Sequence, residues 1–251
     1  MDYAIILAGA LSGGFVLGLT GFGNGLTAYG FWLHVLTPQL GAPLVAIGSI
    51  TSHLLMFRGF RHAISPARFM PFIIGGLIGI PIGTVLLTVI SAPACKLFGG
   101  AMLASYSIIT LCGGLSLRVP SKTPFGDPLI GLIGGICGGL ASLSGPILTV
   151  WCDLKGWPKD EQRGTYQPYN FAMLSAALVA FGVAGLLTMP LLKLTVLSLP
   201  ATLGGMRLGR RLYGKIDDRQ FRKVVLGLLA LSGLSLVGSG IVAVLTPGNA
   251  S

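Results

Sequence analysis

The chain has 251 residues, of which 53% are hydrophobic and only 10% charged, where a soluble domain carries charge at about a quarter of its positions. With a mean hydropathy of +0.83, this excludes a soluble globular protein and predicts an all-α integral membrane protein, a polytopic bundle. The net charge of +10 is assigned to cytoplasmic loops, where basic residues collect, and no nucleic-acid partner is expected.

In chain order the apolar runs are 3–20, 26–36, 44–57, 69–90, 97–117, 129–143, 146–152, 171–187, 191–203 and 224–245. The first lacks the basic start and small-residue cleavage site of a removable leader, so it is read as a membrane helix. A full crossing takes about 20 residues and at least about 17. Among the runs that fall short are the second, third, sixth and seventh. Cys95, Cys112, Cys137 and Cys152 show no CxxC or metal-ligand spacing and are read as small core residues. Neither a metal nor another cofactor is expected.

Two interruptions stand out. "GLTGFGNGLT" (18–27) follows the first run, and "LASLSGPIL" (140–148) lies between the sixth and seventh. Helix breaks at membrane depth survive only where protein buries them or they line a watery cavity, because lipid cannot satisfy free backbone N–H and C=O groups. By contrast, Gly75, Gly79 and Gly83 interrupt nothing polar and follow the small-xxx-small pattern of close helix packing.

The breaks are related. A slide of about 120 positions lays Gly14, Gly18 and Gly25 over Gly134, Gly138 and Gly145, and Trp151 over Phe31. A slide of about 126 lays Gly79 and Gly83 over Gly205 and Gly209. Arg58, Arg61, His62 and Arg68 precede the fourth run, whereas the loop after it holds one lysine, Lys96. In the second half the order reverses: only Lys193 stands before the matching run, and Arg207, Arg210, Arg211, Lys215, Arg219, Arg222 and Lys223 follow it. Equivalent loops thus face opposite sides. The expected organisation is two inverted-topology repeats, 1–117 and 128–251, joined by a cytoplasmic linker at 118–127, with both termini outside. The short runs either cross thinly or form re-entrant hairpins; both preserve parity.

Transporters built this way place their sites near the midplane, where broken helices aim N-termini at an anion. Glycines let the backbone N–H groups of Gly23, Asn24 and Gly25 converge. Ser142 and Ser144 offer hydroxyls and helix caps beside Gly145, and Pro146 suits a first turn. Polar residues inside apolar runs are functional candidates: Asn24, Ser49, Ser52, His53, Gln167 and Asn170, with His34 at the margin. Arg163 is either a guanidinium suited to an oxyanion or part of a solvated loop from Lys155 to Arg163, with the loop preferred, and Arg58 is treated alike. All seven acids lie at run ends or in loops, which disfavours cation transport.

At these residues the chain resembles the TauE/SafE family of sulfite and organosulfonate exporters. The carrying stretches are "GLTGFGNG", its weaker partner "GGLASLSGP", and "GGMRLGRRLYGKIDDRQFRKVVLGLLAL" with its mirror "GGLIGIPIGTVLL". The family often has a further glycine where Asn24 stands, which implies a differently shaped or more polar ligand. The resemblance implies a non-enzymatic bacterial inner-membrane transporter exporting a small sulfur oxyanion or sulfonate by alternating access. An anion leaving down a normal membrane potential gains about 2.3 kcal/mol per charge per 100 mV, so uniport is compatible. The partners implied are the anion, membrane lipid and, from family habit, a second copy of the chain. The alternatives are a transporter of another small anion, a thiol-redox carrier resting on Cys137 and Cys152, and a structural subunit, which need not place broken backbone in lipid.

Overall fold

The computed structural model describes residues 2–57, 64–111, 119–120, 123–212 and, beyond them, 230, 233–234, 236–238 and 240–241, excepting the side chains of 92, 103, 110, 159 and 160. The described elements are helices: α1 (Tyr3–Thr20), α2 (Asn24–Trp32), α3 (Pro38–Met56), α4 (Pro66–Val89), α5 (Ala92–Leu111), α6 (Gly126–Ala141), α7 (Gly145–Leu154), α8 (Lys159–Val183) and α9 (Met189–Leu212). Of these, α1, α3, α4 and α9 are long and apolar enough to cross a membrane. The tenth run, 224–245, lies largely outside the described residues, as do Arg58 and Cys112.

Three boundaries depart from the hydropathy pattern. The third run is no short segment: α3 begins at Pro38, where proline suits a first turn, and continues through Pro43. The eighth run starts at 171, yet α8 starts at Lys159. Its early turns carry Arg163, Gln167 and Asn170 toward protein, a polarity that hydropathy scores as loop. Arg163 is therefore helical. Lys96 lies on α5, and Lys193 lies on α9 with Arg207, Arg210 and Arg211 rather than in a loop.

The short helices do not cross. At the C-terminal end of α2, the Trp32 indole N–H donates to the Ile6 carbonyl at the start of α1, at 2.9 Å. Near the end of α7, the Trp151 indole donates to Asp127 Oδ1 in the first turn of α6, at 2.8 Å. Each break is thus the tip of a hairpin that returns to its own end of the bundle. Gly13 approaches the Asn24 backbone and Gly134 approaches the Ser144 carbonyl, so α2 and α7 begin about halfway along α1 and α6.

Two parallel helix pairs, α1 with α9 and α4 with α6, form the frame, and glycine explains both. A Cβ built on Gly75, Gly79 or Gly83 would strike the carbonyls of Pro128, Leu132 or Ile136, and one on Gly131, Gly135 or Gly139 those of Phe72, Gly76 or Ile80. The other pair repeats this: Gly14 and Gly18 lie on Thr202 and Met206, and Gly205 and Gly209 on Leu11 and Phe15. Lipid tails are as apolar as leucine, so such close van der Waals contact supplies the association. The opposite face of α4 presents Ile74, Ile78 and Val85 outward, as a lipid-facing surface requires.

The two ends differ in charge. Gln39 on α3 donates to the Leu87 carbonyl of α4 at 3.2 Å, fixing one end, where Lys96 and Lys193 lie. At the other, Arg68 of α4 pairs with Glu161 of α8 at 3.3 Å, and Arg163 Nη2 donates to the Leu19 carbonyl of α1 at 3.2 Å. Because α9 runs parallel to α1, Arg207, Arg210 and Arg211 join this basic end.

Lys155 also belongs there, but it is not solvated as the loop reading expected. Its side chain is 0% exposed, Nζ donates to Asp127 Oδ2 at 2.7 Å, and the ammonium sits 5.0 Å from the Trp157 ring centroid and 5.9 Å from that of Phe72. The apolar walls make the pair indispensable to each partner: removing one charge strands the other, which typically costs about 3–5 kcal/mol. Lys155→Met should therefore lower thermal stability in detergent far more than Lys155→Met combined with Asp127→Leu. Gly79→Ala or Gly135→Ala should each cost about 1–3 kcal/mol in the same melts, whereas Gly204→Ala, with open space around its added methyl, should not.

Candidate functional site

α1 ends because Gly21 turns left-handed (φ 83°), and its N–H closes on the Leu17 carbonyl at 2.8 Å. α6 ends the same way at Ser142 (φ 55°), with its N–H 2.8 Å from the Gly138 carbonyl. After an intervening Phe22 or Leu143, new helices start from Gly23 and Ser144. Gly21 and Ser142, and Gly23 and Ser144, are each 121 positions apart. The correspondence is thus one residue beyond the slide of about 120. The glycine doublets at 134–135 and 138–139 make that slip invisible in sequence: one member of each doublet faces Ser144 and the other faces α4.

The two helix starts meet. Gly23, Asn24 and Gly25 from one hairpin, and Ser142, Ser144, Gly145 and Pro146 from the other, line a single cavity. α3 adds Ser49 and His53, and α8 adds Asn170 and Leu174, again pairs 121 positions apart. Leu17, Phe22, Leu26 and Leu143 supply apolar wall. The cavity volume is about 20 Å³, where about 10–15 Å³ holds one water.

Side-chain bonds set the polarity of this chamber. Asn24 Nδ2 donates to Ser49 Oγ at 2.9 Å, and Ser144 Oγ donates to Asn170 Oδ1 at 3.0 Å. An amide and a hydroxyl therefore brace each helix start against α3 or α8, with the two residue types exchanged between halves. Ser142 Oγ donates instead to the Ala42 carbonyl at 2.8 Å. The serines expected to cap α7 thus point elsewhere, and neither helix start has a side-chain cap. Uncapped first-turn N–H groups carry the positive end of the helix dipole, and two such ends facing one chamber favour a negative occupant. Pro146 lacks an N–H, so α2 offers the richer set of donors.

Other candidates fall outside the lining. Ser52 Oγ donates to the Gly48 carbonyl within α3. Gln167 is 2% exposed, with Oε1 unpartnered among the described residues, and packs against Gly21. Arg163, Gln167, Asn170 and Leu174 share one face of α8, at spacings of four, three and four residues. A polar line therefore leads from Asn170 toward the basic end, beside His53, while Leu174 and Ala46 lie in the opposite direction. His34 is exposed in the turn after α2. The apolar lining residues Phe22, Leu143 and Leu174 went unnoticed; the slide of 121 flags them, since it lays Phe22 on Leu143 and His53 on Leu174. Among the described residues, Cys95, Cys137 and Cys152 are buried and free.

Interrupted helices whose starts meet at mid-depth in a multi-pass bundle are the architecture of membrane transporters. The chain belongs to the sulfite exporter TauE/SafE family, whose family model it matches over residues 5–236. No curated protein and no solved structure matches it.

The left-handed turn at Gly21 leaves no room for a side chain, since an added Cβ would strike Gln167 Nε2. Gly21→Ala should cost about 1–3 kcal/mol in backbone strain alone, read as a lowered melting temperature. Pairing it with Gln167→Ala, which removes the collision but not the strain, should recover only part of the loss.

Proposed function

We propose that this protein exports a small sulfur oxyanion or organosulfonate across the bacterial inner membrane by alternating access, holding it between the starts of α2 and α7. The observation that carries this is the meeting of two uncapped helix N-termini, one from each hairpin, in a chamber without a charged side chain among its lining residues. An oxyanion there accepts hydrogen bonds from first-turn N–H groups and the Asn170 amide, while the Asn24 amide and the Ser144 hydroxyl hold the two helix starts in place. Each such bond to a charged group is worth about 1.5–3 kcal/mol.

The same reading makes 1–117 and 128–251 inverted repeats about a linker at 118–127. Support comes from the lining pairs at constant offset and from the helix pairing, in which α1 with α9 corresponds to α6 with α4. The basic end is then cytoplasmic by the positive-inside rule. The polar line of Arg163, Gln167 and Asn170 forms the approach from that side. Room for about one water is too little for a sulfonate, so the hairpin tips must part for entry and release.

Calorimetry on the purified protein in detergent, with sulfite, sulfoacetate, taurine, sulfate and acetate, tests the reading. Saturable binding of sulfite or a sulfonate without binding of acetate is expected. Asn24→Ala and Asn170→Ala should each weaken it by about tenfold or more. Silence across the sulfur anions, or unchanged affinity in both variants, would remove the site.

A further inference from the structure

The chamber contains one titratable side chain, and its position does more than add a hydrogen bond. His53 is 3% exposed, lines the cavity, and has Nδ1 buried without a partner among the described residues. Buried ring nitrogens ordinarily find a partner. An unpartnered one on a side chain that lines a chamber built for negative charge is a vacant proton or hydrogen-bond position.

Among the described residues, the charges on every element packed against α3 leave His53 as the local source of compensation. α1 and α2 carry none. Arg68 of α4 is paired with Glu161 of α8, and Asp127 of α6 with Lys155. Arg163 of α8 is held on the Leu19 carbonyl, and Lys159 and Asp160 begin that helix at the basic end. On α9, Lys193, Arg207, Arg210 and Arg211 are exposed. The neutral titratable groups Tyr29, Cys137, Tyr166 and Tyr169 lie on α2, α6 and α8, and none of them lines the cavity. Among the described residues, an anion entering the chamber therefore meets helix dipoles and amides but no full positive charge, unless the imidazole acquires one.

We propose that His53 takes up a proton when the anion binds, so that substrate and proton occupy the chamber together. This rests on the anion reading above. The sign follows from linkage: the complex binds more protons than the free protein, so affinity rises as pH falls through the range where His53 titrates. A monoanion then crosses as a neutral pair, its movement indifferent to the membrane potential. Uniport, by contrast, would respond to it.

The probe is methanesulfonate, whose own charge does not change over the range tested. Its dissociation constant should fall by up to about tenfold per pH unit across part of about pH 5–8, and binding in weak buffer should draw about one proton per site from a pH indicator. His53→Gln should flatten the pH dependence and abolish the proton uptake. Should that variant fail to fold, the wild-type proton count decides alone. Binding without pH dependence or proton uptake would overturn the coupling and leave the anion site standing. No methanesulfonate binding at any pH would overturn the anion site and the coupling with it.

Discussion

The fold turns on one constraint: a backbone N–H or C=O left unpaired in hydrocarbon costs several kcal/mol, and this chain interrupts its helices twice at mid-depth. Everything around the interruptions shelters them. Hydroxyls and amides on α3 and α8 brace the two helix starts, Tyr166 donates to the Thr20 carbonyl at 2.8 Å, and Arg163 covers the carbonyl before it. The Phe22 ring meets Tyr166 and Tyr106 edge-on at centroid distances of 5.5 and 5.8 Å, closing the first tip against α8 and α5. What remains open is a small chamber toward which the unsatisfied donors converge.

Glycine makes the shelter possible by two different routes. At Gly21 and Gly23 it permits left-handed turns. Along α1, α4, α6 and α9 it removes side chains so that parallel helices can touch backbone to backbone. The same residue type thus supplies both the break and the frame that holds the break in place.

Much of this was legible in the sequence, and the failures have physical causes. α1 fell on its predicted bounds because it is uniformly apolar, and the breaks were visible as glycine and serine clusters within apolar context. α8 was cut short because its first turns point polar groups at protein, and α3 because its prolines imitate a loop. The offset of 121 was missed by one residue since paired glycines match equally well in either register, although only one register puts the packing glycine on the correct face. Asn24, His53, Ser144 and Asn170 were found because polar residues stand out against hydrocarbon. Leu174 and Phe22 were not, since an apolar lining residue carries no such contrast.

The cross-pairing of halves has a consequence for biogenesis. The glycine stripe of α1 finds its partner on α9, so Gly14 waits for Thr202, 188 residues later in the chain. At a synthesis rate of about 5–20 residues per second, that interval is roughly ten to forty seconds. Throughout it the first hairpin must reside in lipid with its groove unfilled and its tip unsheltered by α8. The nascent chain is therefore most vulnerable before its second half arrives, and the insertion machinery must hold the early helices until the frame can close.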